Sequence, residues 1–194
     1  MNSSDISRIF RTPPTLETKR LVLRMIGRGD ACDMHDYSSR EDVTRYLLWS
    51  PHPSLAYTRG YIRVVCKHYR AGDYHDWAIV SKEDSHMIGT IGFTRIDTQN
   101  RVGEIGYVIN PRYAGHGFAT EAGRLVLKFG FEKLGLNRIE ARYMVENTAS
   151  RRVMEKIGMT YEGTARSLMF VKGKYRDISI CAITRDDYLS PQKL

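Results

Sequence analysis

Apolar and polar positions along this chain follow two rhythms, and the switches between them outline its elements. Leu21 and Leu23 alternate with polar neighbours at the end of Leu16 to Arg24, which predicts a first strand. Gly29-Asp30 offers a cap for a short helix through about Tyr37, and Glu41 to Leu48 reads as a second. Ser50-Pro51-His52-Pro53 ends it. Ser54 then caps a longer helix, Leu55 to Arg70, with Ile62, Val65, Cys66 and Tyr69 on its buried side and Gly72-Asp73 at its close.

Strand rhythm takes over at Asp76-Trp77-Ala78-Ile79-Val80, an apolar run fit for a buried strand. Met87 to Ile96 follows, its Gly89 and Gly92 marking a bend or a close backbone approach. Val102 to Ile109 is the third of these strands. Short polar turns, Lys82 to Ser85 and Asp97 to Asn100, make the three an antiparallel meander. A doubly wound nucleotide fold would alternate its strands with helices.

Helical rhythm returns with Phe118, Ala122, Leu125 and Phe129, and Leu134-Gly135 stops it. Arg138 to Val145 alternates again, as a strand reached by a crossover and parallel to Val102–Ile109. Asn147 caps a helix with the stripe Ala149, Val153 and Ile157, ended by Gly158. Met159 to Glu162 and Leu168 to Val171 are strand-like, and Lys172-Gly173-Lys174 turns into a last strand, Tyr175 to Thr184. The expected class is mixed α/β (α+β) with a largely antiparallel sheet. Met1 to Pro14, polar and without an apolar core, reads as a loose arm before one domain over residues 15–190.

Candidate chemistry begins between the third meander strand and the helix after it. Arg112-Tyr113-Ala114-Gly115-His116-Gly117 runs directly into Phe118. A helix opening from a glycine loop presents unpaired N–H groups and the positive end of its dipole, a site for a pyrophosphate. Two nucleotide motifs fail here. The P-loop needs Lys-Ser/Thr after its last glycine, where Phe118-Ala119 stand. The dinucleotide fingerprint needs Gly or Ala where Thr120 stands.

What remains, Arg-x-x-Gly-x-Gly between strand and helix, resembles the acyl-CoA motif of the GCN5-related N-acetyltransferase (GNAT) superfamily. Arg112 through Ala122 resembles its ribosomal-protein-alanine acetyltransferase branch, as does Glu17-Thr18-Lys19-Arg20-Leu21-Val22-Leu23-Arg24. Asn147-Thr148-Ala149-Ser150 with Glu155-Lys156-Ile157-Gly158-Met159 is similar to the family's second cofactor element. The likeness spans about Leu16 to Ile183. It implies a sheet splayed at the acyl-CoA site with helices on both faces.

The resemblance also implies roles. Acetyl-CoA would be held by Tyr107, Val108 and Ile109, by Arg112, Gly115, His116, Gly117, Phe118, Ala119 and Thr120, and by Asn147 at the pantetheine arm. A primary amine would attack the thioester directly, with a backbone N–H of Tyr107–Ile109 for the oxyanion. Glu104 is the expected general base, through water, and Ser150 the group facing the departing sulfur. Two departures from the family stand out. Many members carry a tyrosine where Met154 stands, and the stalk-protein acetylases carry a glutamate where Met169 stands. The acceptor stays open between protein or peptide α-amines and small amines. The helices of residues 29–72 would choose it.

Composition narrows the rest. The chain has 194 residues, 42% hydrophobic and 27% charged, an ordinary globular balance. No apolar run approaches the ~18 residues of a membrane span. Cys32, Cys66 and Cys181 are isolated, with no metal spacing, which suits a reducing cytoplasm. The net charge of +8 fits an acidic cofactor or a polyanion; the basic residues are scattered, so a nucleic-acid partner is not expected. The other functional class is a catalytically weak acyl-CoA-binding sensor or scaffold with a basic nucleic-acid-binding surface. A homodimer is common among the proteins it resembles.

Overall fold

The computed structural model describes residues 2–190. Eight strands form one sheet in the order β1-β2-β3-β4-β5-β6-β8-β7. They are β1 Leu16–Glu17, β2 Leu21–Arg24, β3 Asp76–Ser81, β4 Met87–Asp97, β5 Val102–Ile109, β6 Arg138–Met144, β7 Thr160–Val171 and β8 Lys174–Thr184. Every neighbouring pair is antiparallel except β5–β6. That parallel pair is in register over Val102–Glu104 with Arg138–Glu140 alone, and from Ile105 onward the two strands diverge. The splay between them is the feature that positions the site.

Helices cover both faces. The helices are α1 Ser3–Arg11, α2 Ala31–Ser38, α3 Glu41–Thr44, α4 Leu55–Ala71, α5 Phe118–Glu132, α6 Thr148–Lys156 and α7 Arg185–Leu189. Strand alternation sorts the core between the two faces. Leu21, Leu23, Trp77, Ile79, Phe93, Ile105 and Ile139 pack with α5 on one side. Val22, Ala78, Val80 and Met87 pack with Met34, Tyr37, Ile62 and Tyr69 of α2 and α4 on the other. Gly89 and Gly92 mark close approaches: a Cβ would come 2.1 Å from Val108 O at the first and 2.2 Å from His75 O at the second. Among the described residues no helix is long and apolar enough to cross a membrane.

Several expectations differ from what forms. The expected loose arm is α1 instead, capped by Asn2 in a capping box with Asp5. Its Ile6 and Phe10 are buried against the sheet, which orders a segment too polar to read as helix on its own. Met1, the first residue of that arm, lies outside the described residues. Asp30 stands at the N-cap of α2, as expected, but its side chain makes no cap bond; its carboxylate takes two hydrogen bonds from Arg24, at 2.8 and 2.7 Å, and one from the Gly27 N–H. The helix from Glu41 stops at Thr44, short of Leu48. In α6 the buried residue is Met154, joined by Ile157 just past the helix, while Ala149 is exposed. The two strand-like pieces after Gly158 are one strand, β7, with register shifts at Tyr161/Gly163 and Ala165/Met169.

Candidate active site

Two helices begin at the divergent ends of the splayed strands. α5 follows β5 through the glycine loop, and α6 follows β6 through Asn147. They pack closely where Gly123 meets Ile157, a Cβ there being 3.2 Å from Ile157 Cγ2. Both N-termini therefore sit at one end of the sheet.

The α5 terminus is built to stay open. α1, α4 and α6 each have a side-chain cap, from Asn2, Ser54 and Asn147. α5 has none: its N-cap is Gly117, left-handed at φ 80°. The first intrahelical acceptor is used by Glu121, whose N–H bonds Gly117 O at 3.0 Å. The N–H groups of Phe118, Ala119 and Thr120 precede that bond and lie free of a cap, in the positive end of the dipole. Gly115 is also left-handed, at φ 82°, with nothing within 4 Å of an added Cβ. An anion can thus approach the loop backbone.

Arg20 buttresses this loop, a part the sequence pattern did not assign it. Its Nη1 donates to His116 O at 3.0 Å and its Nε to Glu121 at 2.7 Å, with the guanidinium 4.6 Å from the Phe118 ring centroid. Beside it lies a cavity of about 670 Å³ lined by Lys19, Arg20, Arg124, Lys128 and Lys156 together with Gly117 and Thr120. The signal for it was the phrase Thr18-Lys19-Arg20, distant in sequence and in contact only through the β1–β2 turn.

The other expected cofactor residues fall in three places. Phe118 is buried, so only its backbone is offered; His116 is exposed and stacks on the Phe118 ring. Arg112 turns to α2, pairing with Asp36 at 3.2 Å. Tyr107, Val108 and Ile109 line the β5 side of the splay. The Asn110 N–H donates to Ile88 O at 2.7 Å, so alternation turns the Tyr107 and Ile109 N–H groups the other way, into the splay.

Inside the splay, Tyr107 and Ser150 meet. The tyrosine Oη lies 2.8 Å from Ser150 Oγ and 2.9 Å from Ser150 O. Burial raises the Tyr107 hydroxyl pKa, so the phenol keeps its proton near neutrality. Asn147 Oδ1 accepts from the Ser150 N–H at 3.2 Å, which fixes the first turn of α6. A tyrosine side chain at this position was not foreseen; only its backbone was.

Glu104 occupies the last paired position before the splay. Its carboxylate is 3.4 Å from Arg142 Nε, within a cluster that includes Glu140, Arg95 and Arg138. It lies on the sheet face opposite α5, two residues before Gly106, yet outside the cavity that opens on that face. That cavity, of about 780 Å³, has β4 and β5 as its floor and α2, α4 and residues 47–53 as its wall. His52, expected only as part of a helix stop, is buried in the wall, its Nδ1 3.0 Å from both Ser38 Oγ and Thr58 Oγ1. Among the described residues no group of three or more His, Cys, Asp or Glu could hold a metal.

Known proteins are similar to this chain in sequence and in structure. Residues 20–160 match the model of the acetyltransferase (GNAT) domain. An N-acetyltransferase of Bacillus licheniformis, p20, is 34% identical over 90% of this chain and 98% of its own. A putative ribosomal N-acetyltransferase of Bacillus subtilis, YdaF, is 30% identical over 88% of this chain and 94% of its own. In structure, a GNAT-family acetyltransferase of Bacillus anthracis superposes with a TM-score of 0.80 at 30% identity, over 89% of this chain and 99% of that one.

Proposed function

The chain belongs to the GNAT acetyltransferase family, and from that premise we propose how its residues divide the work of moving an acetyl group to a primary amine. It is an acetyl-CoA-dependent N-acetyltransferase. The observation that carries the division is the pair Tyr107–Ser150 inside the splay, between two helix N-termini.

Acetyl-CoA is the co-substrate. The N–H groups of Phe118 to Thr120 and the loop backbone at Gly115 and Gly117 bind its pyrophosphate, and the cations around Lys128 attract its other phosphate. Asn147, whose oxygen is used in the cap, offers its amide NH2 to the pantetheine arm. The N–H of Tyr107 or Ile109 stabilises the developing oxyanion at the thioester carbonyl.

Ser150 holds the departing thiolate. Tyr107, kept protonated by burial, donates to Ser150 O at 2.9 Å, and Ser150 Oγ, 2.8 Å from the phenol oxygen, can turn its own proton to that oxygen or to sulfur. A serine is a poor acid, so its part is a hydrogen bond to the thiolate. Glu104 takes a different part from the general base expected of it. Its pairing with Arg142 and its place outside the cavity lining favour a role in holding the fork of β5 and β6.

A pH–rate profile of kcat/KM tests the division. Ser150→Ala is expected to lose about 10- to 100-fold at every pH, since a hydrogen bond to a charged group is worth roughly 1.5–3 kcal/mol. Tyr107→Phe should lose less, and the two together no more than Ser150→Ala by much, because they act in series. Glu104→Gln should run parallel to wild type. A Glu104→Gln deficit that grows as pH falls would restore it as the base.

A further inference from the structure

The acceptor cavity contains one carboxylate. Asp76, the first residue of β3, is half-buried there, and no lysine or arginine shares the lining. Tyr74 hydrogen-bonds the carboxyl group, and Tyr61 Oη lies 3.1 Å from Tyr74 Oη. The sheet register places Asp76 opposite Gly92, and Gly92 opposite Gly106. Neither glycine carries a side chain: Asp76 fills the space beside Gly92, and the Thr94 methyl lies 2.8 Å from where a Cβ of Gly106 would stand. A Cβ on Gly92 would come 2.3 Å from Asp76 Oδ1, so the carboxylate lies over that strand. Neighbouring strands are about 4.8 Å apart, which sets a group bound at Asp76 one strand's width from Gly106 and the thioester side.

The wall suits a cation with an apolar body. His52 is ringed by Trp49, Tyr57 and Tyr61 at centroid distances of 5.4, 4.9 and 5.4 Å. Burial lowers the His52 pKa, so the ring is neutral at pH 7 and repels no ammonium. Aromatic faces attract cations, and the Asp76 carboxylate supplies the counter-charge.

We propose that Asp76 seats the acceptor's ammonium group and takes its proton, and that the acceptor is a primary monoamine on an apolar or aromatic body. The proposal rests on the acetyl transfer described above. In the step, the amine nitrogen forms a bond to the thioester carbonyl carbon and the C–S bond breaks with its electrons on sulfur. The ammonium first gives one proton to Asp76, which passes it to water, so that the neutral amine attacks; the second proton leaves nitrogen as the C–S bond breaks and ends on the thiolate, releasing the amide and the CoA thiol. A polyamine would bring further charges into a wall with one anion, leaving them desolvated and unpaired.

Burial pushes the Asp76 carboxyl up to about 6, with the Tyr74 hydrogen bond acting the other way. The groups facing it are Tyr37 of α2, Tyr61 and Tyr69 of α4, and Tyr74; none is cationic. The ionised form binds the amine, so kcat/KM should rise with pH through about 6.

The test is thiol release from acetyl-CoA with 2-phenylethylamine, spermidine and an alanine-terminated peptide, for wild type and Asp76→Asn. Calorimetric titration with acetyl-CoA accompanies each variant. Expected is a kcat/KM for 2-phenylethylamine at least about tenfold above the other two. Asp76→Asn should lower it about 100-fold and erase the limb near pH 6, with acetyl-CoA affinity unchanged. Gly106→Ala, whose methyl would come 2.8 Å from Thr94 Cγ2 and so displace that cavity-lining side chain, gives a second reading: a raised amine KM at constant acetyl-CoA affinity. Preference for spermidine or the peptide overturns the proposal, as does an Asp76→Asn enzyme that keeps the limb. Acetyl-CoA binding without turnover of the monoamine also overturns it and leaves the transfer reading standing. A wild type that binds no acetyl-CoA would bring down that reading first.

Discussion

Gly117→Glu is expected to weaken acetyl-CoA binding about a thousandfold while the protein stays folded. The residue is the N-cap of α5 at φ 80°, where a side chain strains the backbone by roughly 1–2 kcal/mol. The larger effect is electrostatic. A carboxylate beside the N–H groups of Phe118 to Thr120 occupies the place of the pyrophosphate and repels it. Losing two such charge-assisted bonds, at roughly 1.5–3 kcal/mol each, brings the total to about 4 kcal/mol or more. The nearest neighbour of an added Cβ is Arg20 Nη2 at 3.7 Å, an ordinary contact, so no core packing is disturbed. Gly117→Ala carries the strain without the charge and should lose about tenfold or less. Calorimetry on both variants separates the two causes. Acetyl-CoA bound by Gly117→Glu as tightly as by wild type would mean the pyrophosphate lies elsewhere.

Phe10→Ala should cost about 3–5 kcal/mol of stability and lower the melting temperature by about 10 °C. Phe10 is fully buried, with its ring centroid 4.6 Å from His75, 5.5 Å from Trp77 and 6.1 Å from Phe129. Truncation opens a cavity between α1, β3 and α5 that this rigid aromatic cluster cannot fill by relaxing. α1 reaches the β4–β5 turn, where Ser3 Oγ lies 3.1 Å from Thr98 Oγ1, at the end of the sheet away from the splay. Below the transition, acetyl-CoA affinity should therefore be unchanged. Denaturant melts followed by far-UV circular dichroism decide it: an unmoved midpoint would show that α1 contributes nothing to the fold.

The elements that read most easily are those whose pattern is local. The meander from Asp76 to Ile109 announces itself by two-residue alternation between short polar turns, and α4 by Ser54, its apolar stripe and Gly72. The family was legible for the same reason. Its marks, Arg112 to Ala122 and Asn147 to Met159, are short contiguous runs, so sequence order carries them.

What escaped needed a partner far along the chain. An isolated nine-residue helix is marginal in water, and α1 forms because Ile6 and Phe10 find Trp77 and Phe129. The stripe in α6 shifts to Met154 because the first turn faces the splay instead of the core. Glu104, expected as a general base, has Arg142 beside it because β6 pairs next to β5. Asp76 looked like the edge of a buried strand. Its setting depends on register, which lines it up with Gly92 and Gly106 from two other strands. The sequence by itself determined the family, the central meander and the glycine loop before α5, since those rest on contiguous residues. The tertiary structure alone decided which carboxylate lines the cavity between the sheet and α2 and α4, because that is a question of which side chains the folded sheet brings side by side.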